Sequence, residues 1–434
     1  MISPVPSRRE IESGQLEQLR SLVAELIPAN PFYTHKLQAV GVTFDVASLQ
    51  DFSARFPLTT KPEIAADQRQ HPPFGTNLTY PLDRYTRFHQ TSGTSGAPLR
   101  WLDTPESWEG MVESWMDVFR AAGVKAGDRV FFAFSFGPFI GFWLAFESAA
   151  RIGCLCIPGG GLSSAARLRA IMANGATVVC CTPTYAIRLG EVAQEEKIDV
   201  SASRVRKIIV AGEPGGSIFS TRARIESLWA GARVFDHHGM TEVGPVTYEC
   251  PAQAGVLHVI ESAYLAEVID PASGKPASAG QAGELVLTTL NRTGSPLLRY
   301  RTGDLVKPVV LNPERGNSCR CGRHELALAG GILGRTDDMV IVRGVNVYPS
   351  AVEEILRPFV EIAEYRVQIS ETSALTEMRV EIEPARQCAD PAALAARLEK
   401  ALETSLLLRI PVSTVAPGAL PRFQMKARRW IRGN

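Results

Sequence analysis

The sequence lacks an excess of charge of either sign. Its 434 residues include 46 lysines and arginines against 45 aspartates and glutamates, which gives a formal net charge of +1. A chain without a field of one sign has no general attraction for nucleic acid or for an anionic membrane. We therefore expect neither partner, and the ligands have to be inferred from local chemistry.

Long hydrophobic runs are also missing. One apolar stretch, residues 130–146, carries no charge over 17 residues, but Ser135, Gly137, Pro138 and Gly141 interrupt it. Because 17 residues lie at the lower limit for a membrane-spanning helix, a buried strand followed by a buried helix is expected here instead.

The first residues lack the apolar core that a secretory signal needs, which predicts a soluble, cytoplasmic protein. In that reducing compartment the eight cysteines are not expected to form a set of disulfides. Internal repeats and long low-complexity segments are missing too. The composition, with 45% hydrophobic residues, is that of an ordinary globular protein.

Short apolar runs alternate with helical segments through the middle of the chain. The runs at 129–134, 177–182 and 207–212 are each followed by a segment whose apolar residues have helical spacing. Strands that alternate with helices predict an α/β fold built on a parallel sheet.

The pattern changes near residue 264. Four closely spaced strands with turns between them, AYLAEVID, GELVLTTL, LLRYRTGD and LVKPVVL, indicate an antiparallel, barrel-like part. A second change, at 334–338, precedes a mixture of strands and helices in which Asp390 is a natural N-cap. We expect a large N-terminal domain, residues 1–333, joined by a hinge to a small α+β C-terminal domain, residues 334–434.

Residues 91–98 have the sequence TSGTSGAP. The two glycines allow close approach of the backbone, and the hydroxyls and successive N–H groups can surround phosphate oxygens. The Gly-Lys-Ser/Thr ending of a Walker loop is missing. A run of this kind on its own also fits a plain surface loop, so its assignment depends on the motifs that follow it.

Five further motifs follow in a fixed order. They are AGEP at 211–214, HGMTE at 238–242, YRTGD at 300–304, GRTDDM leading into RGVNVYP at 334–349, and LPRFQMK at 420–426. With these motifs the sequence resembles the adenylate-forming acyl/aryl-CoA synthetase superfamily, and within it the phenylacetate–CoA ligase branch. The resemblance extends from about residue 50 to the C-terminus.

The resemblance implies that a carboxylate attacks the α-phosphate of ATP and that a thiol then attacks the acyl adenylate. The catalytic residues would be Thr241 at the α-phosphate, Glu242 as ligand of Mg²⁺, and Lys426 as a point charge at the α-phosphate. Asp304 would accept hydrogen bonds from both ribose hydroxyls, and Arg335 would fix ribose and phosphate.

The remaining nucleotide contacts come from the resemblance in the same way. The loop that would hold the β- and γ-phosphates consists of Thr91, Ser92, Gly93, Thr94, Ser95 and Gly96. The other expected contacts are Gly212, Glu213, Pro214, Asp236, His237, His238, Gly239 and Met240.

Two positions depart from the family pattern. Ala97 stands where the family usually has lysine, so the missing charge has to come from elsewhere, with Arg87 and Arg100 as candidates. His238 stands where a tyrosine normally stacks on adenine, and His237 precedes it. The imidazole of His238 either replaces the tyrosine as a shelf for adenine, or one of the two histidines contacts a polar substituent of the substrate.

The acid-binding pocket is inferred from aromatic residues and glycines. The expected substrate contacts are Phe136, Phe139, Gly160, Ala211, His237, His238 and Pro245. Phenylalanines at a strand-to-helix turn and a glycine run that lets a flat group approach favour a planar aryl acid. With the two histidines, we expect a benzoate- or phenylacetate-like acid with a hydroxyl or amino substituent.

Cysteine and histidine spacing suggests a metal. Cys250 and His258, together with Cys319 and Cys321, offer three thiolates and one imidazole, the ligand set of a closed structural zinc site. Similar sets occur in some members of the branch. The alternative is four unrelated residues, with the cysteines buried as small apolar groups.

The sequence therefore predicts an ATP-dependent ligase that uses Mg²⁺, binds structural Zn²⁺ and transfers an aryl acid to a thiol such as CoA. Two alternatives stay open: loading of a carrier protein or transfer to an amine or hydroxyl, and a zinc-stabilised protein that only binds nucleotide. The basic C-terminal segment contains Arg422, Lys426, Arg428, Arg429 and Arg432. It fits either a solvated tail or a cluster that serves phosphates of ATP or CoA, and we favour the phosphates. A homodimer is left open.

Overall fold

The ligand-binding edge of an α/β protein is set by its parallel strands, and here these strands lie in the middle of the chain. The structure is a computed structural model. It describes residues 5–91, 98–310, 318–343, 345–372, 375–423 and 427–432.

The helices of the described residues carry most of the N-terminal part. Their bounds are α1 Arg8–Leu26, α2 Pro31–Ala39, α3 Leu49–Arg55, α4 Lys61–Gln70, α5 Pro105–Ala121, α6 Trp143–Ile152, α7 Ser164–Ala173, α8 Pro183–Glu195, α9 Phe219–Leu228, α10 Pro349–Leu356 and α11 Pro391–Leu406.

The strands of the described residues are mostly short. Their bounds are β1 Arg87–Gln90, β2 Arg100–Asp103, β3 Arg129–Phe132, β4 Leu155–Pro158, β5 Val178–Cys181, β6 Lys207–Val210, β7 Arg233–Asp236, β8 Gly239–Met240, β9 Gly244–Pro245, β10 Thr247–Glu249, β11 Val256–Val259, β12 Tyr264–Ile269, β13 Gly283–Thr289, β14 Tyr300–Val306, β15 Ala327–Ala329, β16 Gly334–Arg335, β17 Val340–Val342, β18 Val345–Val347, β19 Ile362–Thr372, β20 Leu375–Pro384, β21 Val412–Thr414 and β22 Trp430–Arg432.

The central sheet has the strand order β4-β3-β5-β6-β7, and every neighbouring pair is parallel. All four residues of β5 are buried, because the sheet has core clusters on both of its faces. The predicted α/β class and the three predicted strands are confirmed, with each strand two residues shorter than expected.

Local sequence signals explain how the helices near the site begin. Thr60 and Glu63 form a reciprocal capping box at the start of α4, which makes Lys61 the first residue of that helix. Thr182 accepts the backbone N–H of Tyr185 at the start of α8. Asp390 caps α11 as predicted and accepts the N–H of Ala393 at 2.9 Å.

Two antiparallel sheets follow the parallel sheet, in the orders β12-β13-β14-β16 and β10-β11-β15. The prediction of a separate strand at LVKPVVL is wrong. Leu305 and Val306 are the last two residues of β14, and Pro308 makes only an isolated bridge to Leu328. The cause is local, since proline has no backbone N–H to donate to a ladder.

The C-terminal sheet has the order β21-β20-β19-β22, in which β19 and β20 are antiparallel and both outer pairs are parallel. Helices α10 and α11 bury their apolar faces in the same core cluster as this sheet. In the described part of the chain, none of the helices has the length and apolar character that crossing a bilayer requires.

Candidate active site

The carboxyl ends of the parallel strands lie at one edge of the central sheet, which is where open α/β folds bind ligands. Residues that follow these ends were singled out by the sequence. They are Phe136 and Phe139 after β3, Gly160 after β4, Ala211, Gly212, Glu213 and Pro214 after β6, and His237 and His238 after β7.

The phosphate loop lies between β1 and β2. Ser92, Gly93, Thr94, Ser95 and Gly96 fall outside the described residues. Two hydrogen bonds close the base of this loop. The Thr91 N–H donates to the carbonyl oxygen of Leu99 at 2.9 Å, and the Leu99 N–H donates to Thr91 Oγ1 at 3.0 Å. The N–H of Gln90 donates to the carbonyl oxygen of Pro138, which ties the hairpin to the segment after β3.

A short antiparallel ribbon, β8 with β9, continues from the end of β7. A Cβ on Gly239 would lie 2.7 Å from the carbonyl oxygen of Gly244 and 3.2 Å from Cα of Pro245, so only glycine fits there. Thr241 and Glu242, at the turn of the ribbon, are 9% and 5% exposed. The close packing of the ribbon thus fixes both candidate catalytic residues.

One side of the site is charged, and we call Lys61, Glu242, His238, Asp304 and Arg335 the charged face. Asp304, on β14, accepts a hydrogen bond from His238 Nε2 at 2.9 Å through Oδ2. Its Oδ1 accepts one from Arg335 at 3.1 Å. The buried Asp304 carboxylate is therefore already oriented by two cationic or donor groups.

Lys61 was not singled out by the sequence analysis. Its Nζ lies 3.1 Å from Glu242 Oε1. Thr59 pairs with the backbone beside Tyr300, and this contact brings the start of α4 to the site. The capping box at residue 60 could have located the helix start, but nothing in the sequence links residue 61 to residue 242.

Neither arginine proposed to replace the missing loop lysine lies free at the site. Arg87 faces Glu147 at 3.5 Å and lies over the ring of Trp108. Arg100 donates to the carbonyl oxygen of Pro73 at 2.9 Å.

A buried ion pair supports the turn of the ribbon from behind. Arg292 and Asp103 are both fully buried, and two guanidinium–carboxylate contacts of 2.6 and 2.8 Å join them. Arg292 also donates to the carbonyl oxygens of Thr241 and Glu242, at 2.9 and 2.7 Å. Sequence analysis missed this pair, because its members are 189 residues apart and no motif contains them.

The other side of the site is aromatic, and we call His237, Trp115, Phe142, Phe134 and Phe136 the aromatic face. Successive ring centroids along this series lie 4.3, 5.9, 5.1 and 5.2 Å apart. The ring of Phe139 lies 5.7 Å from that of Phe134. Gly160 adds no side chain beside the backbone of residues 134–135.

His237 is 4% exposed. Its Nδ1 lies 2.5 Å from the carbonyl oxygen of Thr247, and the hydroxyl of Thr247 accepts the backbone N–H of His238 at 3.0 Å. A single residue of β10 therefore holds both histidines. Asp236, which precedes them, accepts the Ser217 hydroxyl at 2.5 Å, and burial raises the pKa of its carboxyl.

The C-terminal segment contacts the same edge of the sheet. Glu213 accepts two backbone hydrogen bonds, from the N–H of Thr184 at 2.8 Å and from the N–H of Ala427 at 2.9 Å. We call this pair of contacts the Glu213 clamp. Lys426, the neighbour of Ala427, falls outside the described residues.

The assignment of the basic C-terminal segment to phosphates is wrong for two of its arginines. Arg422 pairs with Glu383. Arg429 is 7% exposed and binds Glu364 with contacts of 2.7 and 3.2 Å. Both pairs are internal to the C-terminal part, and a buried arginine such as Arg429 needs a carboxylate partner.

The predicted metal ligands converge. The donor atoms of Cys250, His258, Cys319 and Cys321 all lie within 4.8 Å of one another. The sulfurs of Cys250 and Cys319 are 3.7 Å apart, and Cys321 Sγ lies 3.4 Å from His258 Nε2. We call these four residues the Cys3His cluster. Cys250 directly follows β10, the strand that holds both histidines.

Comparisons with known proteins agree with this geometry. The AMP-binding enzyme family matches residues 89–291, and the AMP-binding enzyme C-terminal domain matches residues 344–432. A phenylacetate–coenzyme A ligase of Thermus thermophilus is 32% identical over 380 residues, which cover 87% of this chain and 82% of the relative.

Solved structures give the same picture. A 2-hydroxyisobutyryl-CoA ligase in its postadenylation state superposes with a TM-score of 0.92 at 30% identity, covering 99% of this chain and 91% of the other. The same ligase in its thioesterification state, with 2-HIB-AMP and CoA, gives a TM-score of 0.73 at 30% identity over 99% and 91% of the two chains. This chain therefore belongs to the adenylate-forming acyl/aryl-CoA synthetase superfamily, as an AMP-forming acid–CoA ligase of the phenylacetate–CoA ligase-like branch.

Proposed function

We propose that this ligase activates an aryl carboxylic acid, benzoate- or phenylacetate-like, and transfers it to CoA. The observation that carries the proposal is the position of the aromatic face beside the charged face at one edge of the sheet. Rings stacked edge-to-face offer a planar acid apolar contact on several sides. The similarity to a phenylacetate–coenzyme A ligase supports the same class of acid.

In the first half-reaction, a carboxylate oxygen attacks the α-phosphorus of ATP and pyrophosphate leaves. Asp304 would accept the ribose hydroxyls, and Arg335 would stay paired with it near the ribose. Glu242 would hold Mg²⁺, which neutralises phosphate charge when it is bound. Thr241 would contact the α-phosphate, and Lys426 would stabilise the charge that develops there.

Lys61 would supply the cation that Ala97 does not. Its ammonium already faces the Glu242 carboxylate at 3.1 Å, while the side chain is 45% exposed. A long side chain so placed can turn from the carboxylate to a phosphate oxygen when Mg²⁺ takes its place at Glu242.

In the second half-reaction, the thiol of CoA attacks the carbonyl carbon of the acyl adenylate and AMP leaves. We propose that the C-terminal domain, residues 334–434, rotates on a hinge at 334–338 relative to residues 1–333 between the two steps. The much closer superposition on the postadenylation state than on the thioesterification state of the same ligase supports this reading. A carrier-protein thiol is the alternative acceptor.

A second candidate substrate is a small aliphatic hydroxy acid. The 0.92 TM-score against a 2-hydroxyisobutyryl-CoA ligase favours it, as does a polar residue, His237, within the aromatic face.

We also propose that the Cys3His cluster binds one structural zinc ion. Sulfurs at about 2.3 Å around a tetrahedral centre lie roughly 3.8 Å apart, and a sulfur and a nitrogen lie roughly 3.6 Å apart. The observed 3.7 and 3.4 Å fit these edges. With four protein ligands no position stays open for substrate, so the ion would brace strands rather than take part in the reaction.

The test is a screen for ATP-dependent pyrophosphate release over benzoates, phenylacetates and short 2-hydroxy acids, followed by assay of AMP and thioester with free CoA. We expect release with at least one aryl acid and CoA-dependent turnover. Release with aliphatic acids alone would contradict the aryl proposal, and AMP formation that ignores CoA would contradict the thiol step.

A further inference from the structure

Only Nδ1 of the His237 imidazole can carry the ring proton. Nδ1 lies 2.5 Å from the carbonyl oxygen of Thr247. A carbonyl oxygen can only accept, so Nδ1 carries the hydrogen. In a neutral imidazole the other nitrogen, Nε2, is then an acceptor with a free lone pair.

The ring is neutral because it is buried. Burial lowers the pKa of His237 to about 3, with the Thr247 carbonyl acting against the shift and the neighbouring His238 adding to it. Trp115 covers the ring at a centroid distance of 4.3 Å. The polarity of Nε2 is therefore fixed, unlike that of a hydroxyl, which rotates to donate or to accept.

Nε2 points towards the β8–β9 ribbon. It lies 3.3 Å from the position that a Cβ on Gly239 would occupy. That ribbon leads directly to Thr241 and Glu242. Among the residues the structure describes, no side chain or backbone N–H donates a hydrogen bond to Nε2. An acceptor held in this way costs about 1–3 kcal/mol if it is desolvated without a donor.

We propose that His237 selects carboxylic acids whose acyl part carries a hydrogen-bond donor, a hydroxyl or an amino group, and that Nε2 accepts this donor. The inference rests on the proposed function and deepens it, since it applies to a hydroxylated or aminated aryl acid and to a small hydroxy acid alike. A fluoro or methoxy group at the same position would place lone pair against lone pair.

Matched substrate pairs test this on the unmodified enzyme. Hydroxy and fluoro acids of the same skeleton are close in size, but only the hydroxyl donates. We would measure kcat/KM for ATP-dependent pyrophosphate release with hydroxy- and fluorobenzoates, hydroxy- and fluorophenylacetates, and 2-hydroxy- and 2-fluoroisobutyrate. For the best hydroxy acid, we expect a preference over its fluoro partner of about tenfold or more.

The variant His237→Phe keeps a ring to pack on Trp115 and removes the acceptor. The hydroxy-to-fluoro ratio should fall towards one, because kcat/KM falls more for the hydroxy acid than for the fluoro acid. Measurable turnover of the fluoro acid shows that the variant folds. The matched control is His35→Phe, at an exposed position on α2, which should leave the ratio unchanged.

The outcomes separate the two proposals. If acids are activated but every hydroxy-to-fluoro ratio is near one, or if His237→Phe keeps the ratio, the role of His237 is wrong and the proposed function stands. If no acid of the panel supports pyrophosphate release, the proposed function fails, and the inference fails with it.

Discussion

The two histidines at the end of β7 are neighbours in sequence but belong to opposite sides of the site. His238 donates a hydrogen bond from Nε2 to the Asp304 carboxylate, within the charged face. His237 packs against Trp115 in the aromatic face, with the two rings tilted by 51°. Successive side chains of an extended segment point in opposite directions, so one dipeptide contributes to both faces.

The difference between the faces lies in what each does with charge. The charged face keeps Lys61 paired with Glu242 and Arg335 paired with Asp304, where an ATP molecule with its metal would exchange partners. The aromatic face holds one hydrogen-bond acceptor of fixed polarity, His237 Nε2, among rings. The first suits a ligand that every catalytic cycle shares, and the second suits discrimination between acids.

We expect the largest effect on activity from removal of Lys426, the lysine assigned to the charged face alone. Lys426→Ala should lower ATP-dependent pyrophosphate release by roughly 10²–10³, because one preorganised charge at a developing oxyanion is worth about 3–4 kcal/mol. Conversion of supplied acyl-AMP and CoA to thioester should continue, because under the proposed hinge motion the C-terminal domain has rotated in that step. Both half-reactions can be followed separately.

The control for that variant is Lys400→Ala, on an exposed part of α11 where the lysine side chain faces Glu403 at 3.4 Å. It should change neither half-reaction. Equal slowing of both steps by Lys426→Ala would mean that the lysine is structural.

The Glu213 clamp offers the next largest effect. Glu213→Gln replaces a carboxylate that accepts from both Thr184 and Ala427 with an amide that can accept only at its oxygen. Losing one charge-assisted hydrogen bond at about 1.5–3 kcal/mol should slow adenylation about tenfold to a hundredfold and leave thioesterification much less affected. Single-turnover assays of each half-reaction measure this split.

Glu195→Gln is the matched control, since Glu195 lies on α8 and its carboxylate pairs with the Arg188 side chain of the same helix. It should behave like the unmodified enzyme. A Glu213→Gln variant that loses both steps equally would argue against a contact specific to one domain orientation.

Loss of the Cys3His cluster should weaken the packing of strand β10, which holds His237 in the aromatic face. We expect about one zinc per chain in dialysed protein and little in Cys319→Ala/Cys321→Ala. The Tm of that variant should fall by about 2–4 °C for each kcal/mol lost. Its hydroxy-to-fluoro ratio should also fall, by less than in His237→Phe, because Thr247 still holds His237. Elemental analysis, calorimetry and the substrate pairs provide the measurements.

The matched variant is Cys154→Ala/Cys388→Ala, which removes two half-buried thiols outside the cluster. Unchanged thermal stability in the Cys319→Ala/Cys321→Ala variant, with little zinc in the unmodified protein, would remove the case for a structural metal.

The smallest expected effect is that of pH on acid selection. With a His237 pKa of about 3, the hydroxy-to-fluoro ratio should stay constant between about pH 5 and 8, where an ordinary histidine changes its charge. The same low pKa makes the folded state less stable as the pH falls below about 6.5, because the unfolded chain then takes up a proton that the folded chain resists. A ratio that declines with a midpoint near 6.5 would contradict the buried, neutral ring.

Much of the fold could be predicted from the sequence because its signals are local. The runs at 129–134, 177–182 and 207–212 became β3, β5 and β6, and the cap at Asp390 starts α11. The strand expected at LVKPVVL failed for a local reason as well, the missing N–H of Pro308. The ordered motifs identified the family, since short motifs gain specificity from their order.

The α/β class, the family and the residue types available for chemistry could all be inferred from the sequence alone. Only the tertiary structure decided which groups meet: Lys61 with Glu242, Arg292 with Asp103, Glu213 with the N–H of Ala427, and His237 with the carbonyl oxygen of Thr247. The physical reason is distance along the chain. Helices and turns follow from neighbouring residues, whereas a contact between residues ten to more than two hundred positions apart depends on how strands are ordered in the sheets, and that order is a property of the whole core.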